Sequence, residues 1–160
     1  MCIDVHEECA KNPDYTVTLE ERVKKWETEH GKVPAGAFVA MRTDWSRRWP
    51  DAEKMANKDG QGVAHYPGWS LPALKYLYEG SKITASGHET TDTDPGLATT
   101  KNDYSLESYI LGTNHYQIEL LTNSIKCRSS VSLNPKVAAV SLLASSRSCL
   151  DAFAYGFAIC

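Results

Sequence analysis

The densest group of side chains able to do chemistry is His115-Tyr116-Gln117-Ile118-Glu119. On a strand, side chains alternate, so His115, Gln117 and Glu119 share a face. On a helix, His115 and Glu119 stand one turn apart. Either geometry brings an imidazole and a carboxylate to one metal ion or one substrate. The same pair also suits a partly buried histidine held by a glutamate, and a catalytic metal site usually takes three protein ligands. A second group is His88-Glu89 with Asp92 and Asp94. Following a strand, it could bind a metal or orient a ligand. It also reads as a solvated loop whose Asp and Thr side chains cap their own backbone. It is not an EF-hand loop, because the later Glu is missing at the required offset. A third group joins Arg42-Thr43-Asp44-Trp45 to His65-Tyr66-Pro67-Gly68-Trp69. Aromatics beside Arg and His could wall a pocket for a flat substrate, or cover an edge of the core. Nucleotide-binding glycine loops, a nucleophile elbow and an H-E-x-x-H helix are absent.

These side chains need elements to position them. The β-branched run at 3–5 reads as a short strand. Thr18-Leu19-Glu20-Glu21 has the form of a capping box, which starts a helix over 19–30 with Gly31 as its stop. Residues 37–41 read as a buried strand, and Arg42 to Trp45 leave its end. Residues 51–61 read as a surface loop and 65–69 as a turn. Ser70 caps a second helix, with Pro72 in its first turn and Leu74, Leu77 and Tyr78 as its apolar stripe. A weak strand at 83–86 precedes a polar loop at 87–96. Ser105 caps a short helix to Leu111, and 116–121 is apolar enough for a strand. Strands alternating with helices predict an α/β domain.

The bulk properties agree. The chain has 160 residues, 42% hydrophobic and 23% charged, which suits one globular domain with a real core. A net charge of -3 argues against a nucleic-acid partner. No apolar run is long enough for a membrane span. The first residues are acidic where a signal peptide needs a basic and then an apolar region, which predicts a cytoplasmic protein. The five cysteines form no C-x-x-C pair and read as reduced thiols. The averages hide a split. Nineteen of the twenty acids lie in residues 1–123, whereas 124–160 holds eight Ser, four basic residues and only Asp151 as an acid.

Three phrases together resemble the cyclase family of metal-dependent hydrolases, to which kynurenine formamidase and isatin hydrolase belong. They are the stretch from Gly36 through Trp49, the stretch from Gly62 through Ser70, and Gly87–Gly96 leading to Asn114-His115-Tyr116-Gln117-Ile118-Glu119. The resemblance covers residues 1–123. It implies a swivelling β/β/α fold, incomplete here, and hydrolysis of an amide-type C–N bond in a small aromatic substrate such as N-formylkynurenine. It also implies a divalent metal, zinc or manganese, that activates water, and an oligomer. By resemblance Glu119 is a metal ligand or base, with His115 the nearest imidazole. Arg42, Trp45, His65 and Trp69 line the substrate pocket.

The departures from the family pattern set further expectations. The His-x-Gly-Thr-His-x-Asp-x-Pro signature, which supplies two His and one Asp to the metal, is missing. In the family it lies upstream of the segment matching residues 3–5. The His that two-metal members place twelve residues before the Glu falls at Glu107 here. The chain is therefore expected to be impaired as an enzyme, for want of metal ligands. The alternative is a non-catalytic remnant or an oligomerisation partner of a full-length paralogue. Family members end in a stretch like Phe-Pro-Lys-Pro-Lys-Gly-Gly-Ser-Gly-Phe-Pro-Ala-Arg-Val-Phe-Ala-Ile. Read one nucleotide forward, its codons permit the sequence from Ser132 to Ser148. Residues 124–160 are thus expected to be an out-of-frame readout of the family's last strand.

Overall fold

A computed structural model describes residues 1–122 of the chain, so the expectations for 124–160 fall outside the described residues. Strand β1 (Cys2–Asp4) leads into α1 (His6–Lys11) and β2 (Thr16–Val17). A π-helical segment, Leu19–Lys24, continues as α2 (Lys25–His30), and Gly31 stops it at φ 87°. Only glycine adopts that left-handed backbone without strain. The expected capping box is altered: Thr18 donates from its hydroxyl to Glu21 Oε2 at 3.4 Å, and neither side chain closes on the helix backbone.

Next come β3 (Phe38–Arg42) and a 3₁₀ turn over Trp45–Arg48. The expected surface loop after it contains α3 (Ala52–Ala56). Asp51 caps α3 by accepting from the Lys54 amide at 3.0 Å, and Asn57 ends it in the left-handed conformation. Strand β4 (Gly68–Trp69) precedes α4 (Leu71–Lys75), which runs on as a π-helical segment to Gly80. Ser70 caps α4 with its hydroxyl on the Ala73 amide, as its sequence position predicts. Then follow β5 (Ala85–His88), α5 (Gly96–Thr99), α6 (Ser105–Gly112) and β6 (Tyr116–Ile118).

Among the described residues the named strands all pair in parallel, and one isolated antiparallel bridge joins Lys58 to Ala64. The main sheet has the order β1-β3-β5-β6, and β2 pairs with β4 in a second, two-stranded sheet. Parallel sheets are covered on both faces, which is why β3 reads as an unbroken apolar run. Ile3, Val39, Met41, Trp69, Leu74, Leu77 and Ile110 fill one core cluster. Trp45, Met55, Ala64 and Tyr66 form a smaller one. The sheet register sets Ala40 beside Gly87 and Ser86 beside Gln117, so the segments that follow β3 and β5 emerge at one end of the sheet. Among the described residues no helix is long and apolar enough to cross a membrane.

Two glycines are fixed by close backbone approach. A Cβ on Gly68 would stand 2.5 Å from the Pro95 nitrogen, and one on Gly96 would stand 2.6 Å from the Ala64 carbonyl oxygen. Neither neighbour is a side chain that can turn away. Gly68→Ala and Gly96→Ala are each expected to destabilise the fold by about 1–3 kcal/mol, the usual cost of overpacking. A lowered thermal melting temperature for both variants checks this.

Candidate active site

The segment after β5 does not form the solvated loop that its polarity suggests. His88, Glu89, Thr90, Thr93 and Asp94 are all buried. Buried polar groups must be hydrogen-bonded, and here they bind one another and the surrounding elements. His88 Nε2 meets Thr93 Oγ1 at 3.1 Å, and its Nδ1 meets Thr90 Oγ1 at 3.0 Å. Burial holds the imidazole neutral, with its pKa pushed down to about 4. Glu89 Oε2 accepts from the Thr43 hydroxyl at 3.3 Å and the Ser46 amide at 3.1 Å. Asp94 accepts from the Leu106 and Glu107 amides at 2.9 and 3.1 Å, which caps α6. The cap that Ser105 was expected to supply thus comes from a residue far away in sequence.

At the mouth of this segment stand three carboxylates, Asp92, Glu107 and Glu119. Glu119 accepts from Gln117 Nε2 at 3.0 Å. Burial, reinforced by the charges of Glu107 and Asp92, pushes its carboxyl up to about 7. Burial followed by Asp92 and Asp94 also raises Glu107. Asp92 takes hydrogen bonds from the Tyr66 hydroxyl at 2.8 Å and the Thr91 hydroxyl at 3.0 Å. Beside Asp92 opens a cleft of about 370 Å³, lined by Lys58, Ala64, Tyr66, Asp92, Thr99 and Tyr104 among others.

The other sequence candidates are distributed differently. His115 precedes β6, and its ring packs on Tyr78 with centroids 4.6 Å apart. Gln117, rather than His115, is therefore the residue that meets Glu119. Arg42 is clamped between Asp4 at 2.7 Å and Asp44 at 2.8 Å. Trp45 is buried, donates its ring N–H to the Met55 carbonyl at 2.9 Å, and lies under the Arg48 guanidinium. His65 bridges Asp14 and Asp59. Trp69 is 1% exposed within the core. None of these four lines the cleft. Sequence reasoning missed Thr93 as a member of the site; it set Gln117 on one strand face with Glu119, where the two meet, but gave it no role. The only signal for Thr93 was a threonine-rich acidic run, which reads equally well as solvent-facing turns.

The described residues do not form a metal site by themselves. No three His, Cys, Asp or Glu side chains among them converge so that they could hold an ion. Glu89 Oε1, a buried carboxylate oxygen without a hydrogen-bond partner among the described residues, faces no second acid or imidazole in hydrogen-bond contact.

A parallel α/β sheet closed by a buried His-Glu-Thr segment defines the class, and the comparisons place it. Residues 1–95 match the family described as "Putative cyclase". That span is more than half of the chain, and the chain belongs to the cyclase family. Isatin hydrolase of Roseibium aggregatum is 41% identical over 96 residues, which cover 60% of this chain and 35% of that protein. An isatin hydrolase structure with the product analogue thioisatinate superposes with a TM-score of 0.72 at 33% identity, over 80% of this chain and 48% of that one. Isatin hydrolase A of Labrenzia aggregata, bound to benzyl benzoate, gives 0.65 at 34% identity, over 74% of this chain and 45% of that one. The chain thus spans less than half the length of these relatives, and it carries a cyclase-like α/β fold.

Two outcomes test the electrostatics. Glu107→Gln removes a neighbouring charge and is expected to lower the Glu119 pKa from about 7, read from the Glu119 carboxyl ¹³C shift against pH. Hydrogen bonds from His65 to Asp14 and Asp59 raise the His65 pKa above its ordinary 6.5. The protonated form is favoured by folding, so its stabilisation is complete below pH 6.5 and is lost as pH rises through the raised value. His65→Gln is expected to flatten this part of the stability-versus-pH curve in thermal melts.

Proposed function

We propose that this chain serves a hydrolase that cleaves an amide-type C–N bond in a small aromatic substrate, N-formylkynurenine or an isatin-like lactam, in the cytoplasm. The observation that carries the reading is Glu119. It is a carboxyl group fixed by Gln117, backed by Glu107 and Asp92, and raised to about 7. A group whose pKa lies near the working pH both takes and gives a proton efficiently. Hydrolysis of an amide needs a proton removed from water and one delivered to the leaving nitrogen, and Glu119 is suited to carry it. The isatin hydrolase likeness supports the substrate class. The substrate-binding roles of Arg42, Trp45, His65 and Trp69 belong to this proposal by resemblance alone, since none of the four lines the cleft beside Asp92.

The family resemblance implies zinc or manganese, with Glu119 and His115 as candidate ligands. The described residues do not bring these two together with a third donor. We therefore propose that the chain by itself turns over poorly. Purified full chain is expected to carry substoichiometric metal and to hydrolyse isatin and N-formylkynurenine weakly. Robust turnover with bound metal would overturn the impairment. In that case Glu119→Gln is expected to lower kcat by about 10²–10⁴-fold, the usual worth of a general acid–base group. A second reading, a non-catalytic partner of a full-length paralogue, is favoured by Leu111 of α6 and Tyr116 of β6, large apolar side chains that are 54% and 47% exposed. Co-purification with such a paralogue, without metal of its own, distinguishes it.

A further inference from the structure

The cleft beside Asp92 measures about 370 Å³, within the size range of small-molecule sites. Among its lining side chains only Lys58 and Asp92 carry charge. They come from different segments, Lys58 from the turn after α3 and Asp92 from the segment after β5. The turn is built to hold its shape. Asn57 donates through Nδ2 to the His65 carbonyl at 2.8 Å. Lys58 bridges Ala64, and between them Asp59 accepts from the Gln61 and Val63 amides, each at 2.9 Å. The Ala64 amide donates to the Thr100 hydroxyl at 2.8 Å, and the Gly96 amide donates to the Tyr66 carbonyl at 2.9 Å, which fastens the turn to α5.

Three polar groups of this lining are left open. Asp92 takes both of its hydroxyl partners, Tyr66 and Thr91, on Oδ2 and none on Oδ1. Among the described residues, neither the Lys58 ammonium nor the Tyr104 hydroxyl makes a hydrogen bond or ion pair. Tyr66 and Tyr104 add ring surface, and the buried Tyr66 is held in place between Asp92 and the Thr99 hydroxyl. A simple anion drawn to Lys58 would be opposed by Asp92, and a simple cation drawn to Asp92 would be opposed by Lys58. A ligand that answers both carries an anionic group for Lys58, an N–H donor for Asp92 Oδ1 and a flat body for the tyrosines. We propose that this cleft binds a small aryl carboxylate that also bears an amine, with the carboxylate on Lys58 and the amine on Asp92 Oδ1.

The link to the reaction rests on the hydrolase reading above. When water opens an isatin-like lactam, its oxygen joins the carbonyl carbon, the C–N bond breaks and the nitrogen takes a proton. One step thus frees an aryl amine and an acid on the same molecule. The closed lactam has no carboxylate to offer Lys58, so the cleft favours the opened product. Asp92 is near enough for its charge to act on Glu119, which sets the amine end of the ligand towards the proposed acid–base group.

The probe is 2-aminobenzoate, titrated into the ¹⁵N-labelled full chain and followed by ¹H–¹⁵N correlation. Saturable amide shifts are expected in residues 58–66 and 91–104. Benzoate lacks the amine and aniline lacks the carboxylate, so each is expected to bind about 10-fold more weakly, in line with the loss of one hydrogen bond to a charged group. Lys58 is exposed, so Lys58→Met is expected to leave the fold intact while weakening 2-aminobenzoate about 10-fold. Lys58→Arg is expected to keep the affinity. No saturable shift, shifts away from the cleft, equal affinity for the three compounds, or undiminished binding by Lys58→Met overturns the proposal. Binding is read without turnover. If 2-aminobenzoate binds as expected and neither isatin nor N-formylkynurenine is hydrolysed, the hydrolase reading alone falls. Turnover without such binding sinks the cleft proposal alone.

Discussion

Between His88 and Asp94 five polar side chains lie shut away from water. An unpaired buried polar group costs about 1–3 kcal/mol, so every one of them draws a neighbour into place. Glu89 reaches the Thr43 hydroxyl and the Ser46 amide beyond β3. The Thr93 carbonyl accepts from the Trp69 amide in β4 at 3.1 Å. The carbonyls of His88 and Thr90 accept from Leu121 and Leu120 beyond β6. Asp94 holds the first turn of α6. Both sheets, α6 and the turn after β3 are thus tied to one segment.

The same burial gives Glu119 its chemistry. A carboxylate loses its hydration when walled in, and two neighbouring acids oppose its ionisation further. Asp92 and Glu107 can stand so near because other groups hold each of them. Asp92 is gripped by the Tyr66 and Thr91 hydroxyls. The start of α6, and Glu107 with it, is anchored by Asp94. The raised pKa is therefore a property of the whole assembly rather than of the dipeptide Ile118-Glu119.

Much of the framework was legible from residue types. The Ser70 cap with Pro72, the Gly31 stop and the apolar run of β3 all appear where their chemistry places them. The α/β class and the cyclase family were legible too. Local rules failed where a distant partner supplied the interaction. Asp94 replaced Ser105 as the cap of α6, and Tyr78 took His115 away from Glu119. Trp45 and Trp69 share a residue type but fall into different core clusters.

The sequence by itself determined the helices over 19–30 and after Ser70 and the apolar strand β3, because helix starts, stops and buried strands depend on neighbours a few residues apart, whereas α1, α3 and β4 lie where it offered no element, a loop and a turn. It also determined that acids, imidazoles and amides of the right kinds were present. Tertiary structure alone decided that the 88–94 segment is buried and which of its groups meet. Those outcomes depend on residues brought together by the parallel register, such as Ser86 beside Gln117. They depend equally on loss of water, which turns a string of polar residues from a loop signal into a network that must satisfy itself.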